Sequence, residues 1–364
     1  MQSLNDVTDN NTVRILSLNG GGARGLFTIS VLAEIERIIE SKTGSENVNV
    51  GEYFDLITGT SIGGILALGL ADNNNARSLE ETFRKNASSI FPEQKHPWLI
   101  PGLRRKLRLI RKPLYDSEPL TEVIKSMVDE NRTFDQLTRR VMIPAVNLST
   151  GKPQFFKTPH NPIFTRDGRL RVIDAALSTS AAPTYFPPHY CEDLDAHFVD
   201  GGLVANNPSF IGLHEVFRDM RSDFPNAQVR DVKILNIGTL GDEYTLSPSS
   251  LSSKKQGYIG LWGVGEKLVL STMTANQQLH KSMLLRELAS HSCLDNFVEI
   301  DGNIPNEAAQ DITLDNATES SLRNLASRGR QLANEQYAQN KALRDFFVKP
   351  AKPFKLADTK EAKL

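Results

Sequence analysis

The sequence predicts an α/β fold built on a mostly parallel sheet, and three observations predict it. Two stretches near the start repeat one order of elements, an apolar strand, a glycine turn and a helix: Val13–Leu18 into Asn19–Gly25, and Tyr53–Ile57 into Gly59–Gly63. Repeated units of this kind put strands side by side and helices on the faces. Further on, Val141–Val146 and Val232–Gly238 are apolar runs of strand length, as expected of strands buried between layers. The chain has 364 residues, with 39% hydrophobic and 23% charged, the balance of a globular protein able to bury a large core.

The same composition excludes several function classes. A net charge of −1 gives no global attraction to nucleic acid or to membranes, so any such affinity must sit in a local patch. Two cysteines, Cys191 and Cys293, lie far apart and fit no metal-ligand spacing; they read as reduced thiols of a cytoplasmic protein. Met1–Asn11 is polar, without the apolar core of a signal peptide. No window approaches the roughly 20 apolar residues of a membrane span.

In chain order, residues 1–12 read as a disordered lead. After the Val13–Leu18 strand, Leu26, Ile29, Leu32, Ile35 and Ile39 recur at helical spacing. Between strand and helix lies Gly20-x-Gly22-x-x-Gly25, which satisfies the dinucleotide-binding fingerprint, with Glu40 near the place of a ribose-binding acid. Physically, the loop offers backbone N–H groups at a helix N-terminus, which suit any anion, including the oxyanion of acyl transfer.

The second unit carries Gly59-Thr60-Ser61-Ile62-Gly63. In a G-x-S-x-G turn between strand and helix, the serine sits at the apex of a strained bend with its hydroxyl exposed at a helix N-terminus. With this turn following the glycine loop, an oxyanion hole accounts for both motifs, whereas a dinucleotide site accounts for one.

Residues 77–135 read as helical and punctuated by proline. Within them, Trp98–Lys112 holds six basic residues and no acidic one, among them Arg104, Arg105, Lys106 and Arg108. Cations interleaved with Trp98 and leucines suit an anionic lipid surface; a lid, or a solvated helix with its leucines on the core, is the alternative. Nucleic-acid polymers are not expected as partners.

Beyond the Val141–Val146 strand come a strand at Phe155–Lys157 and a small-residue helix over Val172–Ser180, stopped by Tyr185-Phe186-Pro187-Pro188. His197-Phe198-Val199 leads into Asp200-Gly201-Gly202, an acid at a strand end before two glycines that allow close packing. The remainder reads as a strand at Val232–Gly238, a loop over 247–256, a helix over Tyr258–Leu288, a strand at Asn296–Ile300, a helix over 318–346 and a disordered tail from Pro350.

Taken in order, the glycine loop, the serine turn and Asp200-Gly201-Gly202, joined by Ser180-Ala181-Ala182-Pro183 and Tyr185-Phe186-Pro187-Pro188, resemble the patatin-like phospholipases. The resemblance covers roughly residues 13–213 and continues more weakly through Ala275–Gln278 and 312–335. It implies a three-layer fold, with a catalytic core over 13–213, a basic helical insertion or lid over 77–135 and a mostly helical continuation over 214–349. It implies a Ser–Asp dyad, with Ser61 as nucleophile and Asp200 as general base. The amides of Gly21, Gly22 and Ala23 would form the oxyanion hole. Gly20, Arg24, Gly25, Gly59, Gly63, Gly201 and Gly202 would support these turns, Arg24 by bracing its loop. One departure is Asn19, where the family has Asp, which bears on loop rigidity more than on chemistry.

The implied activity is release of fatty acids from membrane phospholipids, with no metal or cofactor, by a cytoplasmic protein acting peripherally on the inner membrane; a homo-oligomer is compatible with this. The glycine loop, short N-terminus and length further resemble bacterial phospholipase effectors of antiphage signalling (CapV type), which a cyclic dinucleotide such as 3′,3′-cGAMP switches on. Three other readings remain at this level. They are a Ser-His-Asp esterase completed by His214, His280 or His291, a nucleotide-binding module using Gly20–Gly25, and a catalytically dead interaction protein. Chemically, a dyad is sound if burial lifts the aspartate's pKa, since a serine hydroxyl needs a base to become a nucleophile.

Overall fold

A computed structural model of the chain describes residues 11–92, 112–164, 166–241, 262, 265–302 and 313–356. Its strands are β1 (Val13–Leu18), β2 (Leu56–Gly59), β3 (Arg140–Asn147), β4 (Lys152–Lys157), β5 (His189–Cys191), β6 (Ala196–Asp200), β7 (Val232–Ile237) and β8 (Phe297–Ile300). All eight join one sheet in the order β5-β6-β3-β2-β1-β7-β8, with β4 paired to β3 off that path. The run from β3 to β8 is parallel. Antiparallel pairing is confined to the other edge, where β3 meets β4 and β6, and β6 meets β5.

The helices are α1 (Gly25–Thr43), α2 (Ile62–Ala71), α3 (Ala76–Ile90), α4 (Ser117–Met127), α5 (Val172–Ser180), α6 (Gly202–Ala205), α7 (Ser209–Asp219), α8 (Glu266–Ser290), α9 (Glu319–Gln339) and α10 (Lys341–Asp345). Strand alternation separates the two cores they cover. Leu16 and Leu18 of β1, Ile57 of β2 and Leu235 and Ile237 of β7 pack with α1, α2 and α9. Val13, Ile15, Leu56 and Ile234 point the opposite way, onto Leu213 and Val216 of α7 and Leu284 and Leu288 of α8. Successive side chains of a strand face opposite sides, so the sheet lies between two helical layers.

Helix α2 is apolar around its whole circumference, and every residue of it is buried. A helix of that kind belongs inside a protein rather than on its surface. It therefore anchors the serine turn rigidly from behind.

Strand β5 follows Pro187-Pro188 directly and is only three residues long, too short to show a period. Within the helix expected over Tyr258–Leu288, α8 runs from Glu266, after Gly265 at φ 99°; residues 258–261, 263 and 264 lie outside the described ones. One local expectation changes. The chain from Pro350, expected to be disordered for its prolines and lysines, is docked as far as it is described. Ala351 and Phe354 are buried, their N–H groups donate to Glu52 and Thr138 carbonyls at 2.8 Å, and Arg139 donates to the Ala351 carbonyl at 3.0 Å. Trp98, Arg104, Arg105, Lys106 and Arg108 lie outside the described residues, as does the 247–256 loop.

Candidate active site

Ser61 sits between β2 and α2 with φ 55° and ψ −127°, a region that side chains rarely occupy and that stores strain. The bend is so tight that a Cβ on Gly59 would lie 2.1 Å from the Gly63 carbonyl oxygen, so only glycine fits there. Three bonds hold the turn. The Thr60 N–H donates to the Leu18 carbonyl at 3.1 Å, the Thr60 hydroxyl to the Ala205 carbonyl at 2.5 Å, and the Ser61 N–H to the Thr179 hydroxyl at 3.0 Å.

Asp200 ends β6 opposite Ala145 of β3. Its N–H donates to the Ala181 carbonyl at 3.0 Å, and the Gly201 N–H donates to the Thr179 carbonyl at 3.2 Å. Thr179 at the end of α5 thus touches both the serine turn and the Asp-Gly-Gly turn. Asp200 is 1% exposed. One carboxylate oxygen, Oδ1, accepts the Gly202 N–H at 2.6 Å; the other, Oδ2, is buried without a hydrogen-bond partner. Burial pushes the carboxyl up to about 7, against the pull of the Gly202 N–H and the nearby Ser61 hydroxyl. The hydroxyl is therefore in the carboxylate's reach but short of full hydrogen-bond geometry, a contact of the kind that tightens when substrate arrives.

The glycine loop lies alongside. The Asn19 N–H donates to the Ile237 carbonyl at 3.1 Å and the Gly20 N–H to the Asn206 carbonyl at 3.0 Å. Gly21 and Gly22 line one cavity together with Ser61 and Asp200. The Ala23 N–H, by contrast, donates to the Leu314 carbonyl at 2.7 Å. Gly25 opens α1 against Ile62, just beyond the serine. Arg24 reaches away from the cavity, its guanidinium beside Gly241 and its charge acting on Asp301. From the polar end the cavity runs between Phe83, Phe91, Phe186 and Met273. An apolar slot ending at a serine, a buried carboxyl and backbone N–H groups suits an acyl chain with an ester at its head.

The other readings place their residues elsewhere. Glu40 is held by Arg77 through two bonds of 2.8 and 2.6 Å at the far end of α1 from the glycine loop, so it is not poised over a nucleotide there. No described histidine lines the cavity of Ser61. His280 contacts the Asn207 carbonyl at 3.3 Å, His291 bonds Ser290 and Glu287 of its own helix, and His214 is exposed.

Several supporting residues escaped the sequence reading. Asn276 on α8 donates to the Gly202 carbonyl at 2.7 Å and accepts the Asn206 N–H at 2.9 Å; Gln277 accepts from the Asn206 side chain at 2.6 Å. Both belong to the Ala275–Gln278 block, whose presence was noted without a role. Thr179 gave no signal, being one hydroxyl in Ser178-Thr179-Ser180.

The family described as patatin-like phospholipase matches residues 16–211. A Vibrio cholerae protein named cGAMP-activated phospholipase is 72% identical over 345 residues, covering 95% of this chain and 97% of that protein. An Escherichia coli protein of the same name is 64% identical, covering 97% and 98%. A third of that name, from Pseudomonas aeruginosa, is 36% identical, covering 93% and 91%. Among the described residues, no helix is long and apolar enough to cross a membrane.

Proposed function

The chain belongs to the patatin-like phospholipase family, and from that premise we propose that it cleaves membrane phospholipids with a Ser61–Asp200 dyad under control of a cyclic dinucleotide. It is a hydrolase acting on lipid esters. The observation that carries the dyad is Asp200 itself: a buried carboxyl with one oxygen unpartnered, raised to about 7, beside a serine held at a strained turn.

In the first half-reaction the Ser61 oxygen attacks the ester carbonyl carbon while its proton passes to Asp200 Oδ2. The carbonyl oxygen takes the negative charge, which N–H groups of the glycine loop and the α2 N-terminus stabilise. Collapse breaks the bond to the lysophospholipid oxygen, which leaves with the proton held on Asp200. Asp200 then takes a proton from water, the hydroxide adds to the acyl-enzyme, and the fatty acid departs as the proton returns to Ser61. A base with a pKa near the working pH both accepts and returns protons readily.

Control by a cyclic dinucleotide is supported by the names of the relatives at 72% and 64% identity, and it fits an antiphage effector that attacks the cell's own membrane. The catalytic parts fall within residues 13–213; the basic run around Arg104–Arg108 would bring the protein to the inner leaflet from the cytoplasm.

The test is fatty-acid release from phosphatidylglycerol and phosphatidylethanolamine vesicles with and without 3′,3′-cGAMP. Release with the nucleotide, together with fluorophosphonate labelling that disappears in Ser61→Ala, is expected. An unlabelled Ser61 and no release under either condition would end the proposal.

A further inference from the structure

One amide of the glycine loop is already spoken for. The Ala23 N–H donates to the Leu314 carbonyl at 2.7 Å, and that oxygen lies so near the loop that a Cβ on Gly22, which has φ 57°, would stand 2.2 Å from it. A carbonyl oxygen carries partial negative charge, so it takes up a donor that the loop would otherwise offer to an oxyanion. Leu314 also lines the cavity that holds Ser61 and Asp200. In this state the cavity has about 50 Å³, room for a few water molecules.

The segment carrying Leu314 is pinned on both sides. Asp315 accepts the Tyr115 hydroxyl at 2.8 Å and the Thr313 hydroxyl at 3.2 Å. The Thr318 N–H donates to the Asn316 side chain at 3.0 Å, and Thr318 caps α9 through the Ser321 N–H at 3.4 Å. Tyr115 packs edge-on against Phe91 at 5.5 Å and tilted against Phe186 at 5.9 Å, two rings of the cavity wall. The strap therefore ties the glycine loop to the wall of the apolar slot and to the start of α9, which packs along α1 with Gly329 close against the Phe27 carbonyl.

We propose that residues 313–318 form an autoinhibitory strap, that the Leu314 carbonyl stops the oxyanion site, and that activation is the withdrawal of this strap. The inference rests on the dyad reading and specifies how that site is held off. Loss of a single oxyanion donor lowers turnover by about 10²–10³-fold in serine hydrolases, so one occupied amide suffices to hold turnover down. Ligand binding anywhere that displaces α9 or Tyr115 would free it.

The test uses the full chain and two variants that loosen the strap without touching Ser61, Asp200 or the loop: Tyr115→Phe, which keeps the ring, and Asp315→Ala. Two readouts are taken without nucleotide, amide exchange resolved at Ala23 and the initial rate of fluorophosphonate labelling at Ser61. Slow Ala23 exchange in the unmodified protein, faster exchange in both variants, and labelling faster by about tenfold or more are expected. Ala23 exchange that is already fast in the unmodified protein, or Ser61 labelling that is detectable but no faster in the variants than in the unmodified protein, would overturn the strap. Exchange that speeds up while Ser61 labels in no form upholds the strap and removes the dyad reading instead.

Discussion

The backbone N–H of Ser61 donates to the hydroxyl of Thr179 at 3.0 Å, and that hydroxyl donates onward to the Pro144 carbonyl at 2.6 Å. Because the Thr179 carbonyl also accepts the Gly201 N–H at 3.2 Å, one residue on α5 sets the distance between the serine turn and the Asp-Gly-Gly turn. The Ser61 and Asp200 turns are thus positioned by main-chain groups converging on one threonine, and no described histidine lines the cavity they share.

Replacing that hydroxyl by a methyl, Thr179→Val, keeps the volume and leaves the Ser61 N–H buried without an acceptor. A lost partner of that kind costs about 1–3 kcal/mol, read as a lower urea midpoint. We expect kcat to fall by about tenfold or more with KM little changed, since the reacting groups rather than the acyl slot are displaced. Thr179→Ser should restore both. Full activity in Thr179→Val would show that the turn is held without this bond.

The turns that position the site were legible in the sequence because each needs a particular backbone. Gly59 is demanded by the Gly63 carbonyl at 2.1 Å from its ideal Cβ, and glycines at such spacing leave a visible pattern. The central strands were legible because they are buried on both sides. Thr179, Asn276 and Leu314 were not, since they act through hydrogen bonds to backbone groups distant in sequence, and no local pattern marks a residue for that. The docked stretch from Pro350 misled for the opposite reason: its prolines and lysines signal disorder, while two apolar residues, Ala351 and Phe354, decide its packing.

Asp200 gives a pH signature with a defined sign. In the proposed dyad Asp200 must be ionised, so the rate should rise as pH increases through about 7 and be lost below it. Stability runs the other way. The folded carboxyl titrates near 7 and the unfolded one near 3.8, so between these values the folded state binds more protons, and stability falls as pH rises. Asp200→Asn should abolish hydrolysis while raising the urea midpoint at about pH 8, with little gain at about pH 4. An equal gain at both would mean the carboxyl is not held protonated by burial.

Asn276 should report on the same base through its charge. It donates to the Gly202 carbonyl at 2.7 Å and accepts the Asn206 N–H at 2.9 Å, fixing the turn that follows Asp200. Asn276→Ala should lower kcat by loosening that turn. Asn276→Asp keeps the acceptor, loses the donor and sets a second negative charge near the first. A like charge raises a carboxyl pKa further, so the rising limb of the rate profile should move to higher pH. An unmoved limb in Asn276→Asp would place α8 outside the electrostatics of the site.

The strain at Ser61 separates its two roles, chemical and conformational. With φ 55° and ψ −127°, any residue with a Cβ pays for this backbone, at about 1–3 kcal/mol, and Ser61→Ala retains that cost while removing the nucleophile. Ser61→Gly relieves the strain but adds freedom to the unfolded chain worth about 0.4–1 kcal/mol. The balance should leave Ser61→Gly more stable than Ser61→Ala by about 1 kcal/mol, with both unable to release fatty acid. The comparison is made on urea midpoints at one pH, so that Asp200 titrates alike in the two proteins. If Ser61→Gly is the less stable of the pair, the turn stores no strain, and the bend at the serine must be maintained by the Thr60 and Thr179 bonds alone.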